Sequence, residues 1–233
     1  MKQAWLIDLG VRDYPEAWEL QLDLVARRAR DEIPDVLFLL EHPHVYTVGR
    51  KSRDQRREIR VGSESVPCHA IERGGDITYH GPGQLVGYPI SKLPEHERDL
   101  HGYLRNIEEV LIRTCADFGI PVERRPGLTG VWTSEKISRK IASIGVAVKH
   151  WVTYHGFALN VSTDLRFFHA INPCGFDASV MTSMERYSGK PISLTHVKNQ
   201  IAEHFSSVFH ITLEDTPGML FSNGQAANVT KFV

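Results

Sequence analysis

Apolar and polar positions alternate along the chain in ways that predict most of its elements. Residues 4–10, AWLIDLG, read as a strand. A helix start follows, with Asp13 as N-cap, Pro15 in the first turn and Glu16 closing an Asp-x-x-Glu box. Residues 36–42, VLFLLEH, open with an unbroken apolar run, which predicts a central strand. VYTVG, 45–49, is a second short strand. From Asp99 the period changes to that of a helix: Leu100, Tyr103, Leu104, Ile107, Val110, Leu111 and Phe118 share one stripe, and Cys115 lies on it as a small core hydrophobe. Between 130 and 161 the segments GVWTS, KIASIGVAV and TYHGFALNV read as strands. A last helix near 195–209 carries Val197, Ile201, Phe205 and Val208 on one face. Helices that bracket runs of strands predict an α+β (mixed α/β) fold with a largely antiparallel or mixed sheet.

Composition narrows this picture. The chain has 233 residues, 42% of them hydrophobic, with neither repeat nor linker, so we expect a single domain over 1–233 and a monomer. A formal charge of −1 favours no nucleic-acid or membrane partner. Three cysteines, at 68, 115 and 174, make a disulfide framework improbable and fit reduced thiols in a cytoplasmic compartment. The N-terminal segment lacks the apolar core of a signal peptide.

Candidate chemistry concentrates in a few places. INPCGF, 171–176, sets Cys174 between Pro173 and Gly175 in an irregular stretch, either as a buried loop thiol or as sulfur presented to a substrate. RGGDITYHGPGQLVGYP, 73–89, interleaves Arg73, Tyr79, His80 and Gln84 with glycines that let a backbone approach a ligand closely. It is not a Walker phosphate loop. RKIASIGVAV places Lys140 at the head of an apolar strand, where it is either a base or a strand-end lysine reaching water, as Lys136 would be. His155, before Gly156, is as well placed for structure as for catalysis. HERDLH, 96–101, fails as a zinc motif, since its histidines stand roughly 140° apart on a helix. His42, His44, Cys68 and His69 lack matching second pairs, so we expect no metal site. The run GRKSRDQRREIR, 49–60, is a solvated basic face or a dock for an acidic partner.

LEHPHVYTVGRK, RGGDITYHGPGQLVGYP, GVWT, KIASIG, TYHGFALNV and INPCG together resemble, in order, the octanoyltransferases of lipoate biosynthesis, over roughly residues 40–175. The resemblance implies a fold shared with the catalytic domains of biotin protein ligase and lipoate ligase. It implies transfer of an octanoyl group from octanoyl-acyl carrier protein to a lysine of lipoyl domains, those of 2-oxoacid dehydrogenases and the glycine cleavage H protein, without cofactor or ATP. Cys174 matches the cysteine that carries the acyl thioester and Lys140 the lysine that tunes it. Arg73, Gly74, Gly75, Asp76, Ile77, Thr78, Tyr79 and His80, then Ser143, Ile144 and Gly145, then Gly156, Phe157 and Ala158 match segments lining the acyl pocket. Leu159 is a further apolar candidate, His155 a supporting one, and main-chain amides of a 143–145 turn or near Cys174 are candidates to hold the oxyanion. Two rivals stay open: an ATP-dependent lipoate or biotin-type ligase, and an inert lipoyl-domain or acyl-binding protein. A plain thioesterase is a weaker third.

Overall fold

The computed structural model describes residues 2–52, 56–171 and 178–215. Among these, the order of elements is β1 (Lys2–Val11), α1 (Tyr14–Ala29), β2 (Asp35–Glu41), β3 (Val45–Val48), β4 (Glu58–Val61), β5 (Glu64–Ala70), β6 (Ile77–His80) and β7 (Gln84–Ile90). Then follow α2 (Leu100–Asp117), β8 (Val122–Arg125), β9 (Leu128–Thr133), β10 (Lys140–Lys149), β11 (Val152–Asn160), α3 (Met184–Ser188), α4 (Leu194–Phe209) and β12 (Ile211–Asp215). An eight-stranded sheet runs β12-β1-β2-β7-β11-β10-β9-β8, and a four-stranded sheet runs β4-β5-β3-β6. β1 pairs in parallel with β12 and β2, and the rest of the large sheet is antiparallel. The fold is the mixed α+β arrangement that the pattern predicts.

β2 shows why its apolar run is unbroken. Leu37 and Leu39 face a core shared with Ile107, Val110 and Leu111 of α2 and Ile201 and Phe205 of α4. Val36, Phe38 and Leu40 face the opposite core, with Leu24 and Val25 of α1. A strand covered on both faces has no position left for water, so no polar alternation appears. The small sheet buries Tyr46, Ile77 and Tyr79 against Phe167, Phe168 and Ile171 in a third core.

Three local expectations are corrected. Asp13 precedes α1 as expected, but its side chain makes no capping bond. Glu16 lies instead 3.7 Å from Arg12 Nη1, and the box does not close. Leu100, as the first residue of α2 and ahead of Tyr103 on the stripe, is 37% exposed. Residues 143–145 form no turn: they lie inside β10, paired with Phe157, Ala158 and Gly156 of β11. The cap of α2 does form, with Asp99 accepting from the His101 N–H at 2.9 Å.

β9 pairs with β10 at Lys140 and Ala142 and no further. Beyond that point β10 meets the 73–76 loop, whose Gly74 N–H donates to the Val146 carbonyl at 3.0 Å. Gly145 permits this crossing, since a Cβ there would stand 2.8 Å from the Gly74 oxygen. A cavity opens where β9 leaves β10 and the loop takes its place.

Candidate active site

The cavity has a volume of about 410 Å³, ample for a small-molecule chain. Lys140 sits toward one part of it and Tyr14, Tyr88 and His155 line another. Of the residues singled out from sequence, Arg73, Gly74, Gly75, Asp76, Thr78, His80, Lys140, Ser143, Ile144, Gly145, His155, Gly156, Phe157 and Ala158 all line it. Ile77, Tyr79 and Leu159 do not. Side chains alternate along a strand, so when Thr78 and His80 face the cavity, Ile77 and Tyr79 face the small-sheet core. Leu159 is likewise buried in the core beneath α2 and α4. Cys174 and its neighbours Pro173 and Gly175 lie outside the described residues.

Lys140 is 5% exposed, and its ammonium nitrogen lies 5.5 Å from the centre of the Trp132 ring, within reach of the ring's negative face. Gly130 makes room for it. A Cβ at Gly130 would fall 2.7 Å from Lys140 Cε and 2.6 Å from the Ala142 carbonyl, and Gly130 has φ +121°, a conformation side chains rarely adopt. The Gly130 amide is held from behind by buried Glu108 on α2, whose Oε1 accepts it at 3.1 Å. Arg105 and Arg124 bracket the other oxygen of Glu108, at 2.5 and 3.3 Å. Lys140 is also fastened through its main chain: its carbonyl accepts from Thr182 N–H at 2.9 Å. Asn160 Nδ2 donates to the Thr182 carbonyl at 2.9 Å. The segment that follows INPCGF is thus stitched to Lys140 itself.

Three buried histidines, His80, His42 and His155, are held in the neutral form. Gln84 Nε2 donates to the Tyr79 carbonyl and to Asn160 Oδ1, so its Oε1 must accept from His80 Nδ1, 2.8 Å away. His80 Nε2 is then a lone pair facing the Thr47 hydroxyl at 3.3 Å. Arg73, 8% exposed, donates in turn to the Thr47 hydroxyl at 3.0 Å and the Thr47 carbonyl at 2.6 Å. Burial first, then the repulsion that a protonated His80 would meet from a protonated His42 and from Arg73, hold His80 well below the ordinary histidine range. His42 donates from Nδ1 to the Arg12 carbonyl at 2.7 Å and accepts from the Tyr88 hydroxyl at 2.8 Å. Burial lowers it to about 4. His155 is pushed down to about 3, by burial first and then by Arg73. The 3.7 Å approach of Glu72 to His155 Nε2 is therefore not an ion pair near neutral pH, and it is too long for a hydrogen bond.

Sequence reasoning missed Tyr14, Lys51, Tyr88, Leu104, Gly127, Leu128, Thr129, Trp132 and Val146 as lining residues. Trp132 and Val146 lie in or beside segments that carried the resemblance. Tyr14 on α1 and Leu104 on α2 reach the cavity only through the tertiary fold, and no local pattern marks them.

Residues 13–206 match the lipoyl protein ligase A/B catalytic domain. An octanoyltransferase of Syntrophotalea carbinolica is 48% identical over 201 residues, covering 86% of this chain and 92% of that protein. Among solved structures, a bipartite lipoate protein ligase of Thermoplasma acidophilum matches with a TM-score of 0.71 at 17% identity, covering 93% of this chain and 87% of that one. The biotin protein ligase of Aquifex aeolicus matches with a TM-score of 0.50 at 11% identity, covering 90% of this chain and 69% of that one. At such identities the two structures establish the fold alone, whereas the family match and the sequence relative place the chain: it belongs to the lipoyl protein ligase A/B catalytic-domain family, among its octanoyltransferases, and is an acyltransferase.

Proposed function

We propose that the protein moves an octanoyl group from octanoyl-acyl carrier protein to a lysine of lipoyl domains by way of a thioester on Cys174, with Lys140 as proton carrier. The observation that supports this most is the placement of Lys140: a buried lysine on the cavity wall, its carbonyl bonded to the strand of chain that follows INPCGF. In the first half-reaction Lys140 takes the Cys174 proton, and the thiolate attacks the donor's carbonyl carbon. The new C–S bond forms as the donor's C–S bond breaks, and the leaving thiolate recovers the proton. In the second, the amine of the acceptor lysine attacks the enzyme thioester. An amide C–N bond forms, the C–S bond to Cys174 breaks, and the amine's proton returns to sulfur by way of Lys140. Two similar thioesters exchange first and an amide forms last, so no nucleotide is consumed. The cysteine and lysine titrate as a pair, and their pH dependence belongs to both.

The surroundings of His80 support the same choice of base. His80 donates from Nδ1 to Gln84 and faces Thr47 with Nε2, and its depressed basicity suits it to holding Arg73 in place rather than to moving protons. The burial of Lys140 on the cavity wall supports it as the proton carrier.

Intact-protein mass after incubation with octanoyl-acyl carrier protein tests the reading. Wild type gains one octanoyl increment, Cys174→Ser gains none, and Lys140→Ala gains it about 10²–10⁴-fold more slowly. Full transfer to a lipoyl domain by Cys174→Ser, or product from octanoate and ATP without carrier protein, would overturn it.

A further inference from the structure

The stretch of cavity remote from Lys140 ends in polar atoms. The Lys140 side chain leans forward along β10: a Cβ at Gly130, the neighbour of the Val131 that pairs with Ala142, would stand 3.3 Å from its Nζ, and at about 3.3 Å per residue Val146 lies roughly 10 Å beyond, the order of an extended octanoyl chain. Val146 pairs with His155. Between these positions Ile144, Phe157 and Ala158 give an apolar lining, with Ser143 its one polar side chain on β10. At Val146 it changes. Tyr14 is 3% exposed and His155 1%, both line the cavity, and neither Tyr14 Oη nor His155 Nε2 has a hydrogen-bond partner among the described residues. Oε2 of Glu72, 3.7 Å from His155 Nε2, is also buried without one among the described residues. Native proteins rarely leave buried polar atoms unsatisfied, and a cluster of them at one wall points to a ligand group or an ordered water.

The wall is also built at a cost to the backbone. His155 has φ +56° in the midst of a strand, a conformation uncommon for a residue with a side chain. Its amide donates to Gln21 Oε1 of α1 at 2.7 Å, and Gln21 is itself fully buried. A helix side chain thus holds the kinked strand that turns His155 toward the cavity. Strain of this kind persists where the surroundings enforce it, often at a binding site.

We propose that Tyr14 and His155 form a hydrogen-bonding subsite for a hydroxyl-sized group at the tip of the acyl chain. A water fills it when the tail is plain octanoyl, and the chain's own oxygen fills it when the tail carries a terminal hydroxyl. Such an oxygen accepts from the Tyr14 O–H and donates to His155 Nε2 or to the Glu72 carboxylate. The subsite makes two demands on substrate. An ω-hydroxyoctanoyl group is accepted. A decanoyl group, whose last carbons displace the water and leave Tyr14 and His155 unpaired, is rejected. This rests on the reading above only in placing the acyl carbonyl near Lys140.

Calorimetric binding of S-octanoyl, S-ω-hydroxyoctanoyl and S-decanoyl pantetheine to Cys174→Ser protein tests it, with and without Tyr14→Phe. The serine background removes transfer, so binding is read whether or not Cys174 is the nucleophile, and a failure of the thioester mechanism shows separately in the mass experiment. With Tyr14 intact, the ω-hydroxy compound binds at least as well as octanoyl, and decanoyl binds about tenfold or more weakly. Tyr14→Phe keeps the ring and removes only the hydroxyl, so the fold is retained. It weakens the ω-hydroxy compound and narrows the gap between decanoyl and octanoyl. The same order of affinities in both proteins, or no binding of the octanoyl compound, overturns the proposal.

Discussion

His42 bridges two parts of the fold with its two ring nitrogens, one to the Arg12 carbonyl and one to the Tyr88 hydroxyl, and its burial favours the neutral ring. Its folded value of about 4 lies below the ordinary 6.5, so between those values the unfolded chain binds the proton more readily. The stability it contributes is therefore complete above about pH 6.5 and is lost as the pH falls toward 4. The shift corresponds to about 3 kcal/mol for this one buried ring, at 1.36 kcal/mol per pH unit. Urea denaturation at pH 7.5 and pH 4 measures it. A His42→Gln variant, which keeps one donor and one acceptor in the same place, should lose about 3 kcal/mol less than wild type on acidification. Equal losses in the two proteins would show that the ring is not buried in its neutral form. Cys115 illustrates the opposite outcome for a titratable core residue: burial alone pushes its thiol up to about 12, as befits a small hydrophobe on the apolar face of α2.

At the scale of elements, the site depends on how β9, β10 and α2 hold one lysine. Gly130→Ala brings a methyl group within 2.7 Å of Lys140 Cε and forces a side chain onto φ +121°. The strained backbone should cost about 1–3 kcal/mol in denaturant unfolding. The displaced amine should lower kcat more than it raises KM for the donor, because the acyl slot itself is untouched; a change in stability with kcat intact would separate the glycine from the amine's position. Much of this framework was legible in the chain. The apolar runs of β2 and β11 and the stripes of α2 and α4 report burial directly, because the residue facing a core must be apolar whatever the neighbour. The glycine-rich segment 73–76 was legible for a related reason, since main chain that crosses main chain closely leaves no room for Cβ, whereas 143–145 was reached through the family resemblance alone and taken as a turn. What stayed illegible was direction. Nothing local shows that Ile77 and Tyr79 turn from the cavity while Thr78 and His80 turn into it, because that depends on which sheet β6 joins. Nor could local spacing reveal that Glu16 would lean to Arg12 instead of closing its box, or that Tyr14 of α1 would reach a site made chiefly by strands.

Across the whole molecule, charge is close to balanced, at −1, yet its distribution around the cavity is uneven. The basic run 49–60 begins at the cavity: Lys51 lines it, Lys51 N–H donates to the Gly75 carbonyl at 3.0 Å, and Arg50 N–H donates to the Arg73 carbonyl at 3.1 Å. Arg56, Arg57 and Arg60 continue the run on exposed positions. Exposed charges of this kind add little to stability, but they steer an oppositely charged partner and raise its rate of encounter, with an effect that salt screens within about 10 Å at 0.1 M. An acidic carrier protein delivering the acyl chain would meet this face before its arm enters the cavity. The double variant Arg56→Glu, Arg57→Glu should then leave the folding midpoint unchanged and lower kcat/KM for the carrier-bound donor at low salt. It should leave kcat/KM for a small pantetheine thioester, which carries no acidic protein, where it was. Raising the salt should bring wild type and variant together, since screening removes the advantage of one and the handicap of the other. Equal rates at low salt would make the run a solvated surface, and the donor's approach would have to be sought on another face of the cavity mouth.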